Sequence, residues 1–303
     1  MPLTLAEAIQ RVPFLATAND LRTTPLAGGI TNLNYRIDAG DRSYVLRITG
    51  AGTEMLGIRR EIEHAANLAA GRLGVSPEVV FFIEPEGYLV TRFVDGVPIP
   101  PEQMGKPENL RRVAEKIRAF HEGAPPLAGE FNVFRRVEML TEVSRRHNCR
   151  FPDNFDWIMQ RMRQVEHSLA VSAAILHPCH DDLLNLNFLD EQGEIRILDW
   201  EYAGMGEVTY DLANFSSHHR LNDDQLRLLL QAYFGEATEQ QFARLKLLWP
   251  MSEIHEAMWG TTQTGISKLD EDFQAYADLW FGRATEAMSD TRWDQWIRQA
   301  VMR

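Results

Sequence analysis

The sequence predicts an α+β protein of two lobes, the first an antiparallel sheet with one main helix and the second mostly helical. Three observations predict this. Short strand-like runs, several alternating apolar and polar residues and separated by Gly-containing turns, occupy much of the chain before Phe93. A break follows at Asp95-Gly96-Val97-Pro98, with further prolines at 100, 101 and 107. From Asn109 onward the apolar residues adopt helical spacing. The boundary is therefore expected near residue 95, giving units 1–95 and 96–303.

At 303 residues the chain exceeds one typical domain and can bury a sizeable core. Hydrophobic content of 45% and charged content of 24% are those of an ordinary globular protein. No apolar run approaches a transmembrane helix, and Met1 to Asn19 lacks a signal-peptide layout. Cytoplasmic residence is expected, and the two cysteines, Cys149 and Cys179, form no framework or metal pattern. A formal charge of −12 argues against a general nucleic-acid surface and is compatible with a cationic small substrate, as it would be for any of the many acidic proteins.

In chain order, Leu3 to Leu15 reads as a helix with Leu5, Ala8, Ile9 and Val12 on one face. Gly28-Gly29-Ile30-Thr31-Asn32 then leads into an alternating strand. Its glycines permit close backbone approach, and its amide and hydroxyl donors suit phosphate oxygens. In the next strand, Tyr44 to Gly50, residues Tyr44, Leu46 and Ile48 share one face, so Arg47 emerges on the other with Val45. Glu54 to Leu73 is expected as the main helix, with Ile62, Ala65, Ala66 and Ala69 on one side. Val79 to Ile83 and Tyr88 to Phe93 read as an antiparallel pair. Further helices are expected from Asn109 to His121, Phe134 to Cys149, Phe155 to Ala173, Asp223 to Phe234 and Glu239 to Trp249, where Pro250 breaks or kinks the run.

The chemistry is concentrated in Cys179-His180-Asp181-Asp182-Leu183-Leu184-Asn185-Leu186-Asn187, followed by a Gly193 turn and Ile195-Arg196-Ile197-Leu198-Asp199-Trp200-Glu201-Tyr202. This is His-x-Asp-x-x-x-x-Asn, a turn, and an apolar strand delivering a second Asp. Protein-kinase-like phosphotransferases need these parts together: one Asp accepts the substrate hydroxyl's proton, while an Asn and another Asp hold magnesium on the nucleotide phosphates. Asp182, with His180, is the expected catalytic element, and Asn187 and Asp199 the metal ligands. A hairpin of 187–189 with 195–198 would bring the two ligands together.

The run resembles the choline/ethanolamine kinase family of the aminoglycoside phosphotransferase superfamily, through Cys-His-x-Asp-Leu-Leu-x-x-Asn and Leu-Asp-Trp-Glu-Tyr-Ala-Gly. The resemblance extends from Leu26 to about Ala277 and implies a two-lobed protein-kinase-like fold. It implies an N-terminal lobe that binds ATP and a C-terminal lobe that carries catalysis and the alcohol. Gly28, Gly29, Thr31 and Asn32 resemble the family's nucleotide loop. Arg47, in a Val-Leu-Arg-Ile context, takes the place of the phosphate-binding cation, with Glu61 its expected helix partner and Glu63 the competitor. Thr91 to Phe93 would be the adenine hinge, and Asp211 would secure the catalytic loop.

The segment from Trp259 resembles the family's C-terminal aromatic region, so Trp259, Tyr276 and Tyr202 are expected at the substrate. Glu256 stands where the family has the first tryptophan of Trp-x-x-Trp, and Ser217-His218-His219 replaces a family carboxylate. The implied reaction is γ-phosphoryl transfer from ATP, with Mg²⁺, to choline or, next, ethanolamine. Thiamine, an aminoglycoside or a sugar-like alcohol is the alternative acceptor class, and a regulatory pseudo-kinase the alternative role. A homodimer is compatible with the chain.

Overall fold

The computed structural model describes residues 3–26, 32–50, 53–172 and 174–301. Five antiparallel strands form the N-terminal sheet: β1 (Leu21–Leu26), β2 (Asn32–Ala39), β3 (Arg42–Thr49), β4 (Val79–Ile83) and β5 (Tyr88–Arg92), in the order β1-β2-β3-β5-β4. One face buries Ile37, Tyr44, Leu46, Ile48 and Val90 together with Ala8, Ile9, Val12 and Leu15 of the N-terminal helices. The alternation expected of β3 holds, leaving Val45 and Arg47 on the opposite face, where they border a cavity. The expected first helix is two: α1 (Leu5–Gln10), opened by a Thr4–Glu7 capping box, and α2 (Pro13–Ala16), which starts afresh with Pro13 in its first turn.

The main helix is shorter than the sequence suggests. Thr53–Leu56 is a single 3₁₀ turn, Gly57 takes φ +72°, and α3 proper runs from Arg60 to Arg72. Gly57 is needed there twice over: its backbone is left-handed, and a Cβ would collide with the Arg136 guanidinium. Arg136 in turn donates to the carbonyls of Leu56 (2.7 Å) and Gly57 (2.9 Å). The buried face of α3 is Ile62, Glu63, Ala66, Asn67, Ala69 and Ala70, and Ala65 is exposed.

Beyond β6 (Val97–Pro98) the chain is mainly helical: α4 (Pro101–Met104), α5 (Pro107–Gly123), α6 (Val133–Arg146) and α7 (Phe155–Ala170). Then come β7 (His177–Cys179), the hairpin β8 (Phe188–Glu191) with β9 (Glu194–Ile197), and β10 (Gly204–Gly206), which pairs with β7. Helices α8 (Val208–His218), α9 (Asp223–Phe234), α10 (Glu239–Ile266), α11 (Phe273–Met288) and α12 (Trp293–Gln299) complete the fold. Pro250 does not end its helix, for α10 runs through it. The hydrogen bond that proline removes is outweighed by packing on both sides. Lys246 lies over the Trp296 ring of α12, and Thr262 bonds Ser144 of α6 at 2.9 Å. Among the described residues, no helix is long and apolar enough to cross a membrane.

Candidate active site

The catalytic run is held from beneath by α8. Asp211 is fully buried and accepts from the backbone amides of His180 (2.8 Å) and Asp181 (2.7 Å), and from His121 Nε2 (2.9 Å). Burial opposes its ionisation, but the His121 hydrogen bond and the charges and amides of this cradle prevail and hold its pKa below the usual carboxylate value. One turn on, Asn214 accepts from the Leu183 amide (2.5 Å) and donates to Ser252 (3.0 Å). The loop carries strain at both functional ends, since Asp181 (φ 68°) and Asp199 (φ 64°) are left-handed non-glycine residues.

His180 is not in the cleft, contrary to expectation. It is 2% exposed, and burial lowers its pKa, so the ring is neutral near pH 7. Nε2 bonds the Leu198 carbonyl (2.8 Å) and therefore carries the proton, while Nδ1 accepts the Asp182 amide (3.2 Å). The ring ties the loop bearing Asp182 to the strand end bearing Asp199. It positions both and does not border the cavity on which Asp182 opens.

The hairpin joins the two other polar residues of the pattern. Leu198 donates its amide to the Asn187 carbonyl (2.8 Å), so Asn187 and Asp199 stand side by side. The Asn187 amide nitrogen is committed to the Asp182 carbonyl (2.9 Å), which leaves its Oδ1 free. With the Asp199 carboxylate this makes a hard-oxygen pair of the kind magnesium prefers.

Two cavities meet at Asn187 and Asp199. The first, about 350 Å³, lies between sheet and hairpin and is bordered by Asn34, Arg47, Thr91, Arg92 and Phe93. Gly28, Gly29 and Thr31 lie outside the described residues. Asn32 is buried, and its amide donates to Glu201 (3.1 Å), whereas Asn34, which sequence reasoning passed over, borders the cavity.

Arg47 is paired, but not with Glu61. Its guanidinium contacts Glu63 directly and bonds Asp199 at 2.6 Å. Glu61 projects from the solvent side of α3 and pairs with the exposed Arg59. The reason is helical phase: Glu63 shares the buried face with Ala66, Asn67 and Ala70, and Glu61 does not. Arg60 extends the network to Glu63 (2.6 Å) and Glu201 (3.3 Å). Sheet, helix and the 199–201 segment are thereby joined through alternating charges.

The second cavity, about 410 Å³, is bordered by Asp182, Tyr202, Glu256, Trp259 and Tyr276, and also by His218, His255 and Trp280. Tyr276 donates to Glu256 (2.6 Å) and packs edge-on against Trp259, centroids 5.6 Å apart. Burial and the carboxylates of Glu256, Asp199 and Glu201 push the Asp182 pKa well up. Burial likewise opposes ionisation of Glu256, but His218, His255 and Tyr276 prevail and hold it below the ordinary value. Neither His255 nor Trp280 was singled out from sequence. Their only signal is spacing on a helix face toward Trp259 and Tyr276, which cannot be distinguished from core without the fold.

The choline/ethanolamine kinase family model matches residues 23–225, two thirds of the chain. A choline/ethanolamine kinase family protein from Mesorhizobium loti superposes with TM-score 0.85 at 30% identity, covering 98% of this chain and 99% of that one. Choline kinase LicA from Streptococcus pneumoniae gives TM-score 0.78 at 20% identity, covering 94% and 99%. Ethanolamine kinase 2 of Rattus norvegicus is 26% identical over 300 residues, spanning 87% of this chain and 75% of its own length. The protein-kinase-like architecture, the Asp182–Asn187–Asp199 constellation and these similarities lead to one conclusion: the chain belongs to the choline/ethanolamine kinase family and is a small-molecule kinase.

Proposed function

We propose that the enzyme transfers the γ-phosphoryl group of ATP to the hydroxyl of a small cationic amino alcohol, choline or ethanolamine. The observation that carries this reading is the meeting of two cavities at Asn187 and Asp199, one bordered by Arg47 and the other by Asp182 and a carboxylate-rich, aromatic wall. Residues 1–95 serve as the nucleotide-binding lobe and 96–303 as the catalytic and acceptor lobe. The solved LicA complex with AMP, a relative with TM-score 0.74, supports an adenine nucleotide in the first cavity. The backbone of Thr91 to Phe93 holds the adenine, and Gly28, Gly29, Thr31 and Asn32 belong to the loop over the phosphates.

Asp182 orients the acceptor hydroxyl and takes its proton as the new P–O bond forms. Arg47, fixed between Glu63 and Asp199, meets the phosphate oxygens as a preoriented cation. Asn187 and Asp199 hold Mg²⁺, which when bound neutralises charge on the transferring group. Glu256, whose pKa lies below the ordinary carboxylate value, supplies negative charge at the second cavity, and Trp259, Tyr276 and Tyr202 line it with rings, a combination that attracts an ammonium group. Free thiols at Cys149 and Cys179 fit a reducing, cytoplasmic setting.

The test is a coupled ATPase panel of choline, ethanolamine, thiamine, an aminoglycoside and 3,3-dimethylbutanol, the neutral isostere of choline. The account expects turnover with a cationic amino alcohol at least about tenfold above the neutral isostere, the scale of one good cation–aromatic contact. Turnover confined to thiamine or the aminoglycoside would move the acceptor class and leave the kinase chemistry in place.

A further inference from the structure

The second cavity contains more unpartnered hydrogen-bonding atoms than a trimethylammonium group can use. His255 is 3% exposed, borders the cavity, and has no hydrogen-bond partner at either ring nitrogen. Among its immediate neighbours, Tyr202 leaves its buried hydroxyl unpaired and His218 leaves Nε2 unpaired, and both border the same space. All three surround Glu256, with His218 Nε2 at 3.7 Å and His255 Nδ1 at 3.9 Å from its carboxylate, beyond hydrogen-bond reach.

These groups face one another across the place where the alcohol must sit. Ligand atoms of Asp182, His218 and Glu256 all lie within 4.8 Å of one another. A hydroxyl on Asp182 and a nitrogen on Glu256 can therefore be separated by a two-carbon spacer, each making a hydrogen bond of about 2.8 Å. Burial drives the His255 pKa down to about 4, so its imidazole is neutral at pH 7 and offers one acceptor and one donor. Tyr202 and Glu256 add acceptors. A cation with N–H donors would pair these atoms.

We propose that this acceptor site selects a primary ammonium alcohol over its quaternary counterpart, with His255, Tyr202 and Glu256 as the residues that read the N–H groups. The inference rests on the amino-alcohol kinase reading and reverses the order of acceptors that the sequence suggests. A primary ammonium gives three donors, to His255 and Tyr202 atoms that otherwise lack partners and to the Glu256 carboxylate that Tyr276 already holds. A trimethylammonium gives none, and its methyl groups press against the same buried nitrogens and hydroxyl, leaving them unpaired at a cost of about tenfold or more in affinity for each. Sites built to bond a substrate N–H reject analogues without it far more strongly than apolar pockets reject a size change.

The test is kcat/KM for ethanolamine, N-methylethanolamine, N,N-dimethylethanolamine and choline at saturating ATP. The expected result is a decline along the series, with ethanolamine above choline by at least about tenfold. In His255→Phe, which keeps a ring and removes both nitrogens, ethanolamine should lose at least about tenfold while choline changes little. Tyr202→Phe removes one oxygen only and should narrow the same gap in the same direction, which keeps the test alive should the histidine variant fold poorly. Choline used as well as or better than ethanolamine overturns this selection and leaves the amino-alcohol kinase intact. Turnover of neither removes the amino-alcohol reading and this inference with it. Equal losses on both alcohols in the two variants would make His255 and Tyr202 packing residues.

Discussion

The pairing of Arg47 makes a quantitative claim about two glutamates two residues apart, on opposite sides of α3. Glu63 is 4% exposed at its side chain and is shared by Arg47 and Arg60, whereas Glu61 and its partner Arg59 are 64% and 55% exposed. Removing one member of a buried ion pair leaves charge uncompensated and costs about 3–5 kcal/mol. Asp199 and Glu201 still contact the two arginines, so the lower end applies to Glu63→Gln, about 3 kcal/mol. At roughly 2 °C per kcal/mol for a chain of this size, Tm should fall by roughly 6 °C. Glu61→Gln removes an exposed pair worth less than about 1 kcal/mol and should leave Tm nearly unchanged. Thermal unfolding of both variants, with KM for ATP measured alongside, is the assay. KM for ATP should rise at least about tenfold in Glu63→Gln, because Arg47 loses its inner anchor, and stay level in Glu61→Gln. A larger loss in Glu61→Gln, in either Tm or KM, would refute the network.

Two further outcomes follow from the site and its surroundings. Asp199→Ala should weaken magnesium-dependent ATP binding by more than Asp182→Asn does, measured by titration calorimetry with and without Mg²⁺, and equal Mg-ATP affinity in wild type and Asp199→Ala would remove Asp199 from the metal. Burial raises the Glu253 pKa to about 7 against the Trp249 hydrogen bond, so the folded protein holds a proton there that the unfolded chain has lost above about 4.5. Stability should therefore fall as pH rises from about 4.5 to about 7, by up to about 3 kcal/mol, and Glu253→Gln should flatten that decline in urea melts taken across the range; an unchanged slope would contradict it.

Much of this arrangement could be read before folding because it depends on local patterns. The alternation of Tyr44, Leu46 and Ile48 fixes the side on which Arg47 emerges, and the spacing of Asn187 and Asp199 about a glycine turn fixes their adjacency. Where the sequence misled, a tertiary contact decided. Gly57 ends the 3₁₀ turn because Arg136, 79 positions away, reaches its carbonyl, and Glu61 is preferred to Glu63 on its distance to the helix end, whereas the buried face of α3 decides for Glu63. Pro250 reads as a break or a kink, and the break does not occur, because α12 and α6 secure the helix on either side of it. His180 looks catalytic in a linear motif, and only the Leu198 carbonyl beneath it shows that the ring is a strut. His255 carries only its i, i+4 spacing to Trp259, which a core residue would share, and it becomes significant only when both nitrogens are found unpartnered beside a cavity.

The central claim is that Asp182 handles the proton of the acceptor hydroxyl while the remaining machinery binds the nucleotide. Steady-state turnover of Asp182→Asn tests it most directly, with folding verified by thermal unfolding and ATP affinity measured on the same sample. The account predicts unchanged ATP binding and a kcat lower by at least about two orders of magnitude. Near-normal turnover by the folded variant would contradict it.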